Sequence, residues 1–164
     1  MTVDRLVERD ARDAPCRTHE IPLGQAINVE ELPRVDGVPV ESYAALASRY
    51  GHAAHEVLDL AAERGELAEP IIADMPDLLA EVALAARREQ ARSIGDVLLR
   101  RTRLGVLAAR DLSAREGTAA GPVRRVAEVL ARELDWTGER VVRECESFAA
   151  EAHEEGLTSG ERPG

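Results

Sequence analysis

The one close pair of imidazoles in the chain is His52-Ala-Ala-His55, followed by Glu56, and two histidines three residues apart on a helix can reach the same metal ion. Zinc hydrolases order such residues as H-E-x-x-H or H-x-x-E-H, however, and spacing identifies no third ligand here. The expectation is a solvated pair at a helix N-terminus with no metal bound. Cys16 and Cys145 are too few and too far apart for a disulfide framework or a CxxC knuckle. Cys145 falls on an apolar helix face with nothing basic spaced to activate it, so it reads as a small core residue. No G-x-G-x-x-G and no P-loop occur, so the backbone N–H cradle that a pyrophosphate needs has no candidate. No residue is assigned to catalysis, cofactor or metal on this evidence.

What remains is charge. Arg87, Arg88, Arg92, Arg100, Arg101, Arg103 and Arg110 crowd around Glu81, Glu89 and Asp96. Arg100 follows Asp96 by four residues, the favourable order for an ion pair along a helix, worth roughly 0.3–0.5 kcal/mol when exposed. A solvated charged face is the ordinary reading of such a run. Positions 100, 101 and 103 are nevertheless spread around a helix axis at about 100° per residue and cannot share one face. Arg101, stacked on Val97 and Leu98, is expected inward, held by Glu89 or Glu81 in a partly buried pair. Arg100 and Arg103 are then left to Asp96, to solvent or to a docking partner. Glu81, Glu89, Asp96, Arg100, Arg101 and Arg103 thus form the candidate cluster, structural or docking in role.

The elements that must carry this cluster are two helices meeting at a tight corner between Asp77 and Leu104. Leu78, Leu79, Val82, Ala85 and Ala86 recur at helical steps over about four turns, one apolar face, with Pro76 ahead of the first turn. Ser93 and Asp96 form the S/T-x-x-D/E reciprocal cap of the next helix, whose stripe is Ile94, Val97, Leu98 and Leu104. Upstream, a helix is expected over Glu41–Arg49, another over His52–Arg64 stopped by a left-handed Gly65, and a connector over Leu67–Met75. Downstream, a loop at Ser113–Gly121 precedes a helix from Pro122 to Leu134. Thr137 then caps a last helix running from Gly138 to about Glu155, with Val141, Val142, Cys145, Phe148, Ala149 and Ala152 inward and Gly156 as its stop.

The whole is 164 residues, enough for one well-buried domain. Aromatic residues are 2% while Ala, Leu and Val dominate, which favours helices packed through small aliphatic contacts over a sandwich or barrel. The reading is an all-α, compact bundle of five or six helices over 40–156. It is preceded by an irregular strap at 1–39 rich in proline and followed by a disordered tail at 157–164. A net charge of −10 argues against nucleic acid as a partner. All 21 basic residues are arginine. No apolar run approaches the ~18 residues of a transmembrane helix and the N-terminus lacks a signal-peptide plan, so a cytoplasmic location is expected.

Ala80-Glu-Val-Ala-Leu-Ala-Ala-Arg-Arg-Glu89 and the run on to Arg100-Arg-Thr-Arg-Leu104 resemble the C-terminal helical domain of bacterial FAD-dependent glycerol-3-phosphate dehydrogenases. Arg49-Tyr50-Gly51 and Glu133-Leu134-Asp135-Trp136 fit the same pattern, while Leu84 stands where that family often has an aromatic residue. The resemblance implies a parent enzyme that oxidises sn-glycerol 3-phosphate to dihydroxyacetone phosphate with FAD and passes electrons to quinone. It implies that the flavin and substrate sites lie in an FAD domain, in cis or on a separate chain, which is the partner of this domain. Peripheral membrane association of that parent is compatible with it. On this view residues 1–11 resemble the end of an orphaned helix, residues 12–39 have lost their packing partner, and the chain alone is inactive. The alternative is a free-standing interaction module using the Arg87–Arg110 surface to bind an acidic protein or nucleic acid.

Overall fold

The computed structural model describes residues 26–113 and 121–157. The expected helix at 1–11, most of the loop after Ser113 and nearly all of the tail lie outside them. Seven α-helices occur among the described residues and no strand. They are α1 (Val40–Tyr50), α2 (Ala54–Glu63), α3 (Leu79–Arg88), α4 (Leu104–Leu107), α5 (Ala109–Ser113), α6 (Pro122–Leu134) and α7 (Gly138–Glu154). The fold is all-α, and five of these helices are long enough to act as packing elements.

The organising element is α3, which lies between α2 and α6. Every residue from Leu79 to Ala86 is buried. The periodicity suggested one apolar face; instead the helix is enclosed on all sides. The reason is side-chain size: Ala80, Ala83, Ala85 and Ala86 let neighbouring helices close in around the axis, and Val82 and Leu84 fill what is left. The helix is also shorter than the expected four turns, ending at Arg88 where Gln90 adopts φ 59°. Alternation along α6 puts Val126, Ala127, Val129 and Leu130 into the core, and Phe148 and Ala152 of α7 close its far side.

Caps follow local chemistry. Pro122 occupies the first turn of α6, Asp135 closes that helix in a left-handed conformation at φ 54°, and the Thr137 hydroxyl accepts the N–H of Arg140 at 3.3 Å. Gly156 closes α7 at φ 71°, as its position suggested. Gly65 does not close α2. The helix breaks at Arg64, which is extended at φ −134°, and Gly65 opens a 3-10 turn over Gly65–Ala68. Arg64 is drawn out of the helical path by an ion pair to Glu133 on α6 at 2.6 Å. Val142, expected inward, is 48% exposed, because its neighbour Val141 takes the buried position on that turn.

The connector before α3 is also more ordered than its prolines suggested. Pro70 and Leu78 form an antiparallel bridge, with the Ile71 N–H donating to Asp77 O at 2.7 Å and the Leu79 N–H to Glu69 O at 2.9 Å. Ile71 and Ile72 are buried by this return.

The second half of the strap differs from the expectation of a segment without a packing partner. Leu32 is 3% exposed and sits in the core. The Tyr43 hydroxyl on α1 accepts the N–H of Val35 at 2.8 Å, and the Arg34 guanidinium stands 4.2 Å over the Tyr43 ring. Leu32 and Val35 are therefore packed against the core and α1. Tyr43→Phe should remove the acceptor and leave the Val35 donor unmatched. A loss of about 1 kcal/mol in unfolding free energy is expected, with faster amide exchange at Val35 and unchanged exchange in α3. Exchange at Val35 indistinguishable from the unaltered chain would contradict this account of the strap.

Candidate functional site

Glu81, in the first turn of α3, is 1% exposed. Its Oε1 accepts the N–H of Leu78 at 2.9 Å, so the carboxylate caps its own helix from three residues inside. The other oxygen takes the guanidinium of Arg49, which reaches across from the last turn of α1. Arg49 also approaches Asp77 at 2.8 Å, and the Tyr50 phenol stands near the Glu81 carboxylate. Gly51, at φ 55° and ψ −130°, a conformation open to glycine alone, turns the chain away directly after Tyr50. Burial pushes the carboxyls of Glu81 and Asp77 up, against the pull of Arg49. Burial and the adjacent Glu81 carboxylate push the Tyr50 phenol up as well, so it stays protonated.

At the corner, Asp96 and Ser93 form the reciprocal cap. The Ser93 N–H donates to Asp96 Oδ2 at 3.1 Å, the Asp96 N–H to Ser93 Oγ at 3.1 Å, and the Arg92 N–H joins at 2.9 Å. Partial burial pushes Asp96 up, but these donors outweigh it and hold its carboxyl below the usual range. The helix that follows is not an α-helix. Asp96–Arg101 is wound as a π-helix, with the Thr102 N–H reaching back five residues to Val97 O at 3.0 Å. Arg103 then leaves the helix in a left-handed conformation at φ 60°.

This winding sorts the six candidate residues into separate places. Arg101 reaches back to the end of α3, with Nε 2.9 Å from Glu89 Oε2, one Nη donating to Glu89 O and the other to Asp96 O at 2.8 Å. Glu81 does not join it, being engaged by Arg49. Arg100 points the other way, to Glu151 of α7 at 2.9 Å and more loosely to Asp96 at 3.8 Å. The Glu151 carboxylate lies against Gly95, where a Cβ would collide with it. Arg103 is exposed and makes no ion pair with another described residue. The cluster is a set of inter-element ties and not one site.

Two partners escaped sequence reasoning. Arg49 lies 32 residues from Glu81, and no local spacing could pair them. Glu133, 8% exposed at its side chain, receives Arg64 at 2.6 Å and Arg87 at 2.5 Å, tying α2 and α3 to α6. A groove of about 460 Å³ between α2 and α3 is lined by Glu56, Asp59, Glu63, Arg87 and Arg88, whose arginines are paired with Glu63 at 3.7 Å and Glu56 at 3.1 Å. Its charges largely answer one another.

The His52 and His55 rings meet edge to face, 6.4 Å apart, and no group of three metal-ligating side chains occurs among the described residues. Burial pushes the Cys145 thiol up, away from the thiolate a nucleophile requires. No helix among the described residues is long and apolar enough to cross a membrane. The polar groups of the described residues tie the helices to one another. The class these residues define is an all-α helical domain.

The comparisons with known proteins agree with this class. Residues 16–141 match the family model of the C-terminal domain of alpha-glycerophosphate oxidase, and the chain belongs to that family. The glycerol-3-phosphate dehydrogenase of Mycobacterium leprae (strain TN) is 32% identical over 158 residues. The proteins named glycerol-3-phosphate dehydrogenase 2 of Mycobacterium bovis and Mycobacterium tuberculosis are 31% identical. Each alignment covers 92% of this chain but only 26% of the relative, so the chain spans about a quarter of the length of the proteins it matches. No solved structure matches it.

Three single substitutions separate the ties. Arg101→Ala should cost about 1–2 kcal/mol, because it removes a side chain that satisfies two backbone carbonyls as well as Glu89. Arg100→Ala and Arg103→Ala should each cost under about 1 kcal/mol, as exposed arginines do. Chemical denaturation of the three variants checks the order, and three equal shifts would reduce Arg101 to an exposed residue like the others.

Proposed function

We propose that this chain serves as the C-terminal domain of an FAD-dependent sn-glycerol-3-phosphate dehydrogenase. In the whole enzyme the C2 hydroxyl of glycerol 3-phosphate is oxidised to the ketone of dihydroxyacetone phosphate. The two electrons pass to the flavin and from there to quinone. The observation that carries this reading is the family match over residues 16–141, joined by relatives named for that dehydrogenase. The residues of this chain do not fit the flavin itself. The sequence has no G-x-G-x-x-G, and the Arg49–Glu81 and Arg101–Glu89 ties occupy the charged groups that could otherwise face an anionic cofactor. The flavin and substrate phosphate therefore belong to an FAD domain, in cis or on a separate chain, and this domain is its packing partner in the cytoplasm.

The alternative of a free-standing basic module finds less support. Arg87, Arg88, Arg100 and Arg101 are each engaged by a carboxylate of this chain. Their charge is spent internally, and the chain carries −10 overall.

The purified chain is expected to carry no flavin and to reduce no dye with glycerol 3-phosphate. Added to an FAD domain of a related dehydrogenase lacking its own C-terminal part, it should bind and raise dye reduction dependent on glycerol 3-phosphate. Flavin absorbance that survives gel filtration of the chain alone would place the cofactor here and overturn the assignment. Failure to bind any such FAD domain would overturn the partner.

A further inference from the structure

Inside the α1–α3 junction two carboxyl groups face one guanidinium. Glu81 is 1% exposed and Asp77 is 2% exposed, and they stand four residues apart at the start of α3. The charged or titratable groups that face them are Arg49 and Tyr50, both from the end of α1. Glu89, at the far end of α3, is felt through Tyr50 and is itself answered by Arg101. Arg49 is thus the one cation paired with them among the described residues, against two buried acids. With both acids ionised the junction would hold a surplus negative charge where water has little access.

The hydrogen bonds show the same shortfall. Glu81 is well supplied, receiving the Leu78 N–H at 2.9 Å and the Arg49 guanidinium. Asp77 Oδ1 is buried without a hydrogen-bond partner, although Arg49 Nη1 lies 2.8 Å away, so the guanidinium stands off its bonding direction while bonded to Glu81. A like charge alongside a carboxylate in a poorly solvated place disfavours the ionised form of one of the two.

We propose that Asp77 and Glu81 hold one proton between them at neutral pH, so that folding takes up a proton and the α1–α3 junction weakens as the pH rises. The proton belongs to the pair, not to one residue. The sign follows from proton counting. In the unfolded chain both carboxyls lose their protons near pH ~4, whereas the folded pair keeps one to higher pH. The stabilisation is complete below the unfolded carboxyl pKa and is lost as the pH rises through the raised pKa of the folded pair. At its steepest this changes the folding equilibrium constant about tenfold per pH unit. Tyr50 ionises too high to contribute, since burial and Glu81 push it up.

The test is denaturant unfolding of the full chain between about pH 5 and pH 9, comparing the unaltered chain with Asp77→Asn and Glu81→Gln. Each variant removes the surplus charge and keeps a neutral side chain of the same shape. The expected result is a fall in the folding constant of the unaltered chain, by at most about tenfold per pH unit, that both variants lack. The infrared stretch of a protonated carboxyl should be present in the folded chain at pH 7 and vanish on unfolding. This second readout decides the matter should a variant fail to fold. A pH profile shared by all three chains, or a folded chain without that band at pH 7, overturns the proposal.

Discussion

A charged residue in the first turn of a buried helix constrains everything packed around it. Glu81 sits in α3, whose residues from Leu79 to Ala86 are all buried, so its carboxylate is tolerable only where donors converge on it. One donor, the Leu78 N–H, is a free group at the helix start and costs no other bond. The other, Arg49, must arrive from the last turn of α1, which fixes the rotation of α1 and the point where it ends. The sharp turn at Gly51 follows, because the chain must leave for α2 directly after the turn that delivers Arg49. Replacing a buried ion pair with apolar groups is often neutral or stabilising in other proteins, so the pair's contribution here is better sought in register than in raw stability.

The same economy runs through the rest of the domain. Aromatic residues make up 2% of the chain, and alanine-rich helices bury little area per residue, so apolar burial alone specifies few inter-helix angles. Arginine supplies the missing specificity, since its planar fork can satisfy a carboxylate and backbone carbonyls at once. Arg125 on α6 shows the pattern. It holds Glu69 at 2.9 Å and the carbonyls of Pro70 and Ile71 at 2.7 and 2.6 Å, clamping the connector before α3 onto α6. Arg64 and Arg87 converge on Glu133 in the same way. A lysine could meet one of these acceptors but not the set.

What could be read from the residues in order was whatever is decided locally. The Ser93–Asp96 cap, the Thr137 cap, Pro122 at the start of α6 and Gly156 at the end of α7 are short-range contacts, and each stands where its residue type placed it. The wrong turns came where a distant group decides. Gly65 carries the residue type of a helix stop, yet α2 breaks at Arg64, whose partner Glu133 lies 69 residues away. Arg101 was legible as an inward residue bound to the end of α3, but Glu81 belonged to Arg49 and not to the corner. The strap looked loose because prolines punctuate it, while Leu32 and Val35 find their partners in α1 and the core.

The π-helix at Asp96–Arg101 is the least legible element and explains why the arginine run does not behave as one face. An α-helix would spread residues 100, 101 and 103 at about 100° steps. Here the wider winding follows the side chains. The Thr102 hydroxyl donates to Val97 O at 3.2 Å and Arg101 to Asp96 O at 2.8 Å, so each carbonyl gains a side-chain donor. With Arg101 drawn back to Glu89 and Arg100 out to Glu151, the segment is stretched between α3 and α7, and an extra residue is taken into the turn. Arg103 pays no part in either tie, and its left-handed backbone at φ 60° redirects the chain so that Leu104 returns to the core while Val106 and Leu107 stay exposed. The corner thus turns inward charge into helix-to-helix connections, with only Val106 and Leu107 of the large apolar residues that follow Arg103 up to Leu112 left outside the core.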